Sequence, residues 1–126
     1  VRGDVGAPIP VAGLLLTVQV VDLGGVPPAA LRLPPSDRFV TVGVQCEGDG
    51  SGPAVVSPYD WVLTDASGAV YGPVVDGLSG SLQERQLAPT DIARGRIGFV
   101  VPRSAQGLVL NYDAEQGDAS AQVPLG

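Results

Sequence analysis

Apolar and polar residues alternate with a period of two in four segments of the chain. These segments are residues 14–22, 39–46, 96–101 and 108–112. Because successive side chains of a strand point to opposite faces, this alternation predicts half-buried β-strands rather than helices. Their many valines are β-branched residues that pack well on a pleated surface. The pattern therefore predicts an all-β fold.

One face of each predicted strand should lie in the core. The expected core residues are Leu14, Leu16, Val18 and Val20; Val40, Val42, Val44 and Cys46; Ile97, Phe99 and Val101; and Leu108, Leu110 and Tyr112. Trp61 alternates with Leu63, so we expect it in the core, with a surface binding role as the alternative. The Cys46 thiol should be buried and unreactive, because no basic residue lies near it in the sequence.

Turn residues separate the predicted strands. Residues 47–53 are rich in glycine and predict a loop. Asp65 and Gly68 suit a type I turn, which predicts a hairpin joining residues 61–64 to 69–71. Residues 116–118 should join the last two strands. Residues 23–37 hold four prolines and predict a long surface loop with one helical turn around residues 29–33. Seven or eight short strands of this kind predict one β-sandwich domain over residues 1–126, with two antiparallel sheets.

Composition narrows the classes of partner. The net charge of −6 argues against nucleic acid and anionic lipid. No stretch is long and apolar enough for a membrane span, so we expect membrane contact only through an anchor upstream. The chain starts at Val1 without a leader, which indicates a mature or excised product. All seven basic residues are arginine, a bias typical of high-GC, actinobacterial genomes. The single cysteine excludes an internal disulfide and is uncommon in exported proteins.

Few residue types here can carry catalysis. Histidine and lysine are absent, which excludes Ser-His-Asp, Cys-His and Ser-Lys arrangements. Zinc sites need histidine or several cysteines. We therefore expect no enzyme, no cofactor and no metal, with a carboxylate-based hydrolase as a remote alternative. Arg2-Gly3-Asp4 matches an integrin-binding tripeptide, and residues 47–52 are loosely similar to a calcium loop. We interpret them as the entry to the first strand and a glycine-rich hairpin, since EF-hand spacing is missing.

Short motifs along nearly the whole chain carry a family resemblance. They are Gly3-Asp4 and Gly13; residues 39–45; Trp61, Leu63, Asp65, Gly68 and Tyr71; and residues 95–102 with Leu110 and Tyr112. With them the chain resembles the small secreted immunoglobulin-like antigens of mycobacteria. It is also similar to a domain of unknown function in Gram-positive surface lipoproteins, sometimes mislabelled after a telomeric repeat-binding factor. Cys46 departs from a common asparagine, and Thr90-Asp91 from a common Pro-Gly turn. The resemblance implies an immunoglobulin-like sandwich outside the cytoplasm and supplies no catalytic residues.

The outward faces of several predicted strands are also apolar. They carry Leu15, Phe39, Val62, Val100 and Val109, together with Val21. A large exposed apolar surface usually marks an interaction site. We therefore predict that these residues contact a protein or an apolar envelope ligand, with scattered single valines as the alternative. The loop at residues 23–37 is the second candidate surface.

The function predicted from these features is that of a secreted or cell-envelope binding or structural module without catalytic activity. The alternative is a regulatory or scaffold domain of a larger membrane-anchored protein.

Overall fold

The computed structural model describes residues 2–11, 13–29, 31–113 and 120–125, and these form ten strands and one 3-10 turn. The strands are β1 (Ile9–Val11), β2 (Leu14–Gly25), β3 (Asp37–Gly48), β4 (Ala54–Val56), β5 (Trp61–Thr64), β6 (Val70–Tyr71), β7 (Arg85–Leu87), β8 (Ile92–Pro102), β9 (Val109–Asp113) and β10 (Ser120–Pro124). The 3-10 turn is Pro58–Asp60. The all-β prediction is confirmed, with more strands than the seven or eight expected. Strands β1, β4 and β7 have three residues each, too few to show an alternation.

The strands form two four-stranded antiparallel sheets and one two-stranded ribbon. Sheet I has the order β1-β2-β3-β8, sheet II has the order β10-β9-β5-β6, and β4 pairs with β7 in a small separate ribbon. The predicted two-sheet, immunoglobulin-like sandwich is confirmed. The predicted turn at residues 116–118 lies outside the described residues. None of the described segments forms a helix long and apolar enough to cross a membrane.

The core lies between the inner faces of the two sheets. Sheet I contributes residues that include Leu14, Leu16, Val18, Val40, Val42, Val44, Cys46, Ile97, Phe99 and Val101, and sheet II contributes Trp61, Leu63, Leu110, Tyr112, Ala121 and Val123. The Trp61 and Tyr112 rings pack at 5.0 Å between centroids and a 59° tilt. The predictions that Trp61 and Cys46 are buried are therefore confirmed.

A β-bulge in β2 reverses one predicted orientation. Val18 opposes Val44 on β3, whereas Val20 opposes Gly43, so Gln19 is an extra residue in the ladder. The bulge turns Val20 outward, where it is 62% exposed, although the alternation placed it in the core. Val21, expected to face outward, is partly buried and packs against the core.

The proline-rich connection is shorter than predicted, because β2 continues to Gly25 and β3 starts at Asp37. Its described residues form no helical turn. Two turns are present instead: the Leu31 N–H donates to the Pro28 carbonyl at 2.9 Å, and the Asp37 N–H donates to the Pro34 carbonyl at 2.9 Å.

The outer edge of β8 is paired with a segment that is not a regular strand, residues 74–82, here called the edge segment. Val74 and Gly98 exchange two backbone hydrogen bonds of 2.6 and 3.1 Å. Farther along, the Arg96 N–H donates to Gly80 at 2.8 Å, and the Leu82 N–H donates to Arg96 at 2.9 Å. The edge segment therefore satisfies backbone groups that an open edge strand would present to other chains.

Candidate functional site

The five predicted contact residues lie on two different surfaces. Leu15, Phe39 and Val100 belong to the outer face of sheet I, and Val62 and Val109 to the outer face of sheet II. Phe39 pairs with Val100, but Leu15 pairs with Glu47, eight residues farther along β3. At about 3.3 Å per residue the two ends are roughly 26 Å apart. The structure therefore does not bring the five together into one patch.

The prediction that Phe39 lies on an accessible surface is wrong. Its side chain is only 1% exposed. The ring lies against Gly98, which has no side chain, and the Val74 carbonyl of the edge segment lies near the same glycine. Phe39 is thus enclosed on the outer side of sheet I. Leu15, Val62, Val100 and Val109 are half-buried, and their role as contact residues stays a prediction.

The outer face of sheet II brings together Val62 and Val109, which sequence reasoning selected one by one. Pairing places Asn111 between Val62 and Gln122, and Val109 between Thr64 and Pro124. We define the uncharged face by these residues and their neighbour on β6: Val62, Thr64, Val70, Val109, Asn111, Gln122 and Pro124. Val70 is 64% exposed. Among the described residues, the charged side chains next to the face lie at its margins, with Asp113 at one end of β9 and Arg2 paired with Gln122 at the edge.

Hydrogen bonds within the uncharged face hold its polar side chains. The Asn111 side-chain amide donates to the Thr64 hydroxyl at 3.0 Å and to the Val109 carbonyl at 3.0 Å. The Gln122 amide donates to the Ser120 hydroxyl at 3.2 Å. Side chains already ordered in this way lose less conformational entropy when a partner binds. The face is therefore a preorganised, half-apolar surface without charge.

The outer face of sheet I has a different character. Gln45 accepts hydrogen bonds from the Gln19 amide at 3.1 Å and from Arg94 Nε at 2.8 Å. Arg96 is exposed, and its guanidinium donates to the Ser79 carbonyl at 3.0 Å. This face is polar and cationic along its middle rows, which sets it apart from the uncharged face.

The hairpin between β5 and β6 holds the carboxylate of Asp65. One oxygen accepts from the backbone N–H groups of Ser67 and Ala69 and from the Ser67 hydroxyl, at 2.9, 3.1 and 2.6 Å. The other accepts from the Tyr71 hydroxyl at 2.7 Å. These bonds lower the pKa of Asp65 to about 2, with the Ser67 hydroxyl the largest cause. The predicted hairpin is confirmed by the pairing of β5 with β6, and its turn is closed by the Gly68 N–H, which donates to the Asp65 carbonyl at 3.1 Å. The Asp65 carboxylate is therefore engaged in stabilising this turn.

The aspartate side chains in the turns have lowered pKa values, which do not suit acid catalysis. Asp49 accepts from the Ser51 N–H at 2.9 Å and from the Ser51 hydroxyl, and these bonds lower the pKa of Asp49. A general acid of a glycosidase needs the opposite shift. The predicted loop that was compared with a calcium site is shorter than expected, because Glu47 and Gly48 belong to β3. The predicted hairpin there is wrong, since β4 pairs with β7 and not with β3. Among the described residues, no three Cys, Asp or Glu side chains are grouped to hold a metal ion.

The buried thiol is equally unsuited to nucleophilic chemistry. Burial raises the pKa of Cys46 to about 12, and the nearby charge of Asp60 adds to this shift. Burial likewise raises the pKa of Tyr112 to about 12. A thiol becomes a nucleophile as the thiolate, which this environment disfavours at neutral pH.

Solved structures similar to this chain share its sandwich. MPT63, a secreted protein of Mycobacterium tuberculosis, matches with a TM-score of 0.79 and 9% identity over 98% of this chain and 96% of its own. The yjhA protein of Bacillus subtilis matches with a TM-score of 0.72 and 14% identity over 98% of both chains. The B. subtilis ycdA protein, described as a lipoprotein, matches with a TM-score of 0.76 and 19% identity over 89% of this chain. The present chain spans only 36% of the length of ycdA.

The resemblance noted from the sequence motifs is confirmed by these matches. No curated protein sequence matches the chain significantly. One family model does match it, over residues 4–122. The chain therefore belongs to the family described as domain of unknown function DUF4352.

Proposed function

We propose that this chain is an extracytoplasmic, non-catalytic binding module of one domain, and that its contact surface is the uncharged face of sheet II. The observation that carries the proposal is that Val62, Val70 and Val109 lie on one sheet face among uncharged polar side chains, with Asp113 at the end of that face, in a protein of net charge −6. The secreted and lipoprotein descriptions of MPT63 and ycdA support the extracytoplasmic location.

Charge distribution favours this face over other surfaces. The cores of protein interfaces are depleted in charged residues, because burying an unpaired charge is costly. Val62, Val70 and Val109 offer apolar area, while Asn111 and Thr64 are already hydrogen-bonded to each other. A partner with a neutral surface can cover them without removing an ionised group from water. The partner class is therefore a protein, or an envelope ligand with an uncharged, partly apolar surface.

Site-specific photo-crosslinking in intact cells tests the contact surface. A photoreactive amino acid replaces Val70 on the uncharged face, and in a matched variant it replaces Gln19, an exposed residue on the opposite sheet. We expect a discrete covalent adduct from position 70 and none from position 19. Val62→Asp should abolish the adduct while circular dichroism stays unchanged. Adducts of equal yield at both positions, or at position 19 alone, would rule out the uncharged face.

A scaffold or regulatory domain of a larger membrane-anchored protein is the second candidate. It is favoured by the ycdA match, in which this sandwich accounts for only part of a longer chain. Proteolysis of intact cells followed by immunodetection checks the location for both candidates. We expect the domain to be cleaved or released without cell lysis, and full protection until lysis would contradict an extracytoplasmic location. Release in a larger fragment would favour the scaffold role.

A further inference from the structure

A groove lies between the 3-10 turn and the edge segment with the residues that follow it, and none of its lining residues belongs to the uncharged face. This groove has a volume of about 360 Å³, and its lining includes Pro58, Tyr59, Asp76, Leu78, Leu82 and Glu84. The volume is at the small end of the range for ligand pockets and suits one or two side chains. Neither the fold nor the proposed function uses it.

The 3-10 turn presents an aromatic ring at the groove. The Ser57 hydroxyl caps the turn by accepting the Tyr59 N–H at 3.2 Å. Pro58 and Asp60 on either side of Tyr59 are buried, yet Tyr59 itself is 61% exposed. The turn is thus anchored through its neighbours while its tyrosine remains accessible. An exposed aromatic residue on an anchored turn is unnecessary for the core and available to a ligand.

The apolar part of the groove is fixed in place. Leu82 is 2% exposed and Leu78 8% exposed. The edge segment that carries them is held by the Leu82 hydrogen bond to Arg96 and by the turn in which Leu78 N–H donates to Val75 at 3.0 Å. The shape of the groove is therefore set by backbone pairing with β8.

The charges at the groove are both negative. Asp76 and Glu84 are exposed, and in the described part of the chain no hydrogen bond or ion pair engages either carboxylate. The arginines on adjacent strands are directed elsewhere. Arg85 lies 3.9 Å from Asp91, and Arg96 donates to the Ser79 carbonyl. The groove thus combines apolar walls, an accessible ring and two carboxylates, and none of its described lining residues is a cation.

We propose that this groove binds an arginine or lysine side chain of a partner polypeptide. The alkyl stem of such a side chain packs on apolar surface while its charged end stays hydrated. A cation within reach of the Tyr59 ring face gains cation–π stabilisation, and guanidinium favours such stacking. Asp76 and Glu84 supply the complementary charge. The inference is independent of the uncharged face, which has no charge to offer a basic residue.

A peptide titration followed by NMR tests the groove. The probe is the N-acetylated, C-amidated tripeptide Leu-Arg-Leu, and its control carries citrulline, a neutral isostere of arginine, at the central position. We expect saturable shifts confined to Tyr59 and residues 75–84 with the arginine peptide, weakened by added salt. The citrulline peptide should bind at least about threefold more weakly.

Protein variants distinguish binding at the groove from attraction by the overall negative charge of the protein. The pair Asp76→Asn with Glu84→Gln should weaken binding by about tenfold, and Tyr59→Ala by about threefold. The control pair Asp4→Asn with Glu47→Gln makes the same change in net charge away from the groove and should leave affinity unchanged. Equal loss in both pairs, equal binding of the citrulline peptide, or unsaturable shifts over the whole surface would overturn the proposal.

Discussion

The Cys46 side chain sets a limit on stability at alkaline pH. Its folded pKa of about 12 lies above the ordinary 9.0, so the folded protein holds its thiol proton more tightly. The stability from this group is complete below pH 9 and is lost as pH rises from 9 toward 12, by up to about 1.4 kcal/mol per pH unit. We expect a loss of about 2 kcal/mol at pH 10.5 relative to pH 8.

Cys46→Ala isolates this contribution from that of other groups such as Tyr112. The variant leaves a small cavity, so it should be less stable than the parent at pH 8. The parent loses stability at pH 10.5 through ionisation of its thiol, and the variant has no thiol to ionise. The difference in free energy of unfolding between parent and variant should therefore narrow by about 2 kcal/mol at pH 10.5. Urea denaturation at both pH values measures the difference. If the difference in free energy of unfolding between the two proteins is the same at both pH values, ionisation of the Cys46 thiol does not cause the loss of stability at alkaline pH.

The Asp65 carboxylate has the opposite pH dependence. Its folded pKa of about 2 lies below the ordinary 3.8, so its stabilising contribution is present above pH 3.8 and is lost as pH falls toward 2. Tyr71→Phe removes one donor to this carboxylate. We expect the pKa of Asp65 to rise toward its ordinary value in this variant, as measured by NMR titration of the carboxyl carbon. An unchanged pKa would show that the tyrosine hydroxyl does not stabilise the ionised form.

Strand β8 depends on a glycine where another element approaches it closely. A Cβ added at Gly98 would overlap the Phe39 ring and the Val74 carbonyl of the edge segment. We expect Gly98→Ala to lower the free energy of unfolding by about 1–3 kcal/mol, since overpacking forces side chains or backbone to shift.

Gly24→Ala is the matched control for that substitution, because a Cβ at Gly24 meets no atom within 4 Å. It should leave stability unchanged or slightly raised. Chemical denaturation of both variants provides the comparison. If Gly98→Ala is as stable as the control, Phe39 is not held against β8 as the structure has it.

The longer strands could be predicted from the sequence because each has a buried face that repeats every second residue. The same rule failed at Val20 and Phe39 for different reasons. A single extra residue, Gln19, reverses the alternation in β2, and no local signal marks it. Phe39 lies on the outer side of its sheet as predicted, but the edge segment comes from a distant part of the chain. Short strands, and the burial of an outward residue by a distant segment, depend on contacts between separate parts of the chain. The alternation along one strand carries no information about such contacts.

The sequence predicts individual residues of the uncharged face, but their grouping on one surface depends on the order of strands in the two sheets. The sequence predicts Val62 and Val109 as outward residues of separate strands, and strand order places both on the uncharged face. Leu15 and Val100 are predicted as outward residues in the same way, but they lie on the other sheet. The groove beside Tyr59 was not predicted, because it is formed by a 3-10 turn and an irregular segment without periodicity.

Self-association of the whole molecule near its isoelectric point tests whether the uncharged face acts as a contact surface. The isoelectric point of about 4.2 removes the net repulsion that the charge of −6 provides at neutral pH. We expect reversible association at pH 4.2 and low salt, through the surface that is easiest to desolvate. Light scattering against protein concentration measures it.

Val70→Asp should raise the protein concentration at which association begins, because it places a carboxyl group on the uncharged face. Gln19→Asp adds the same group to sheet I and should have a much smaller effect. Equal effects of the two variants would indicate that association follows net charge alone.

The pairing of β3 with β8 has a consequence for how the chain reaches its fold. Strands β2 and β3 adjoin along the chain, whereas residues 49–91 separate β3 from β8. Closing so long a loop costs entropy before any contact repays it, and domains dominated by such pairings fold in milliseconds to seconds. Until β8 arrives, the valine-rich stretch of β3 presents an unpaired edge of high strand propensity. Refolding of this domain is therefore a competition between one slow intramolecular event and concentration-dependent pairing of β3 with another chain, and dilution favours the native sandwich.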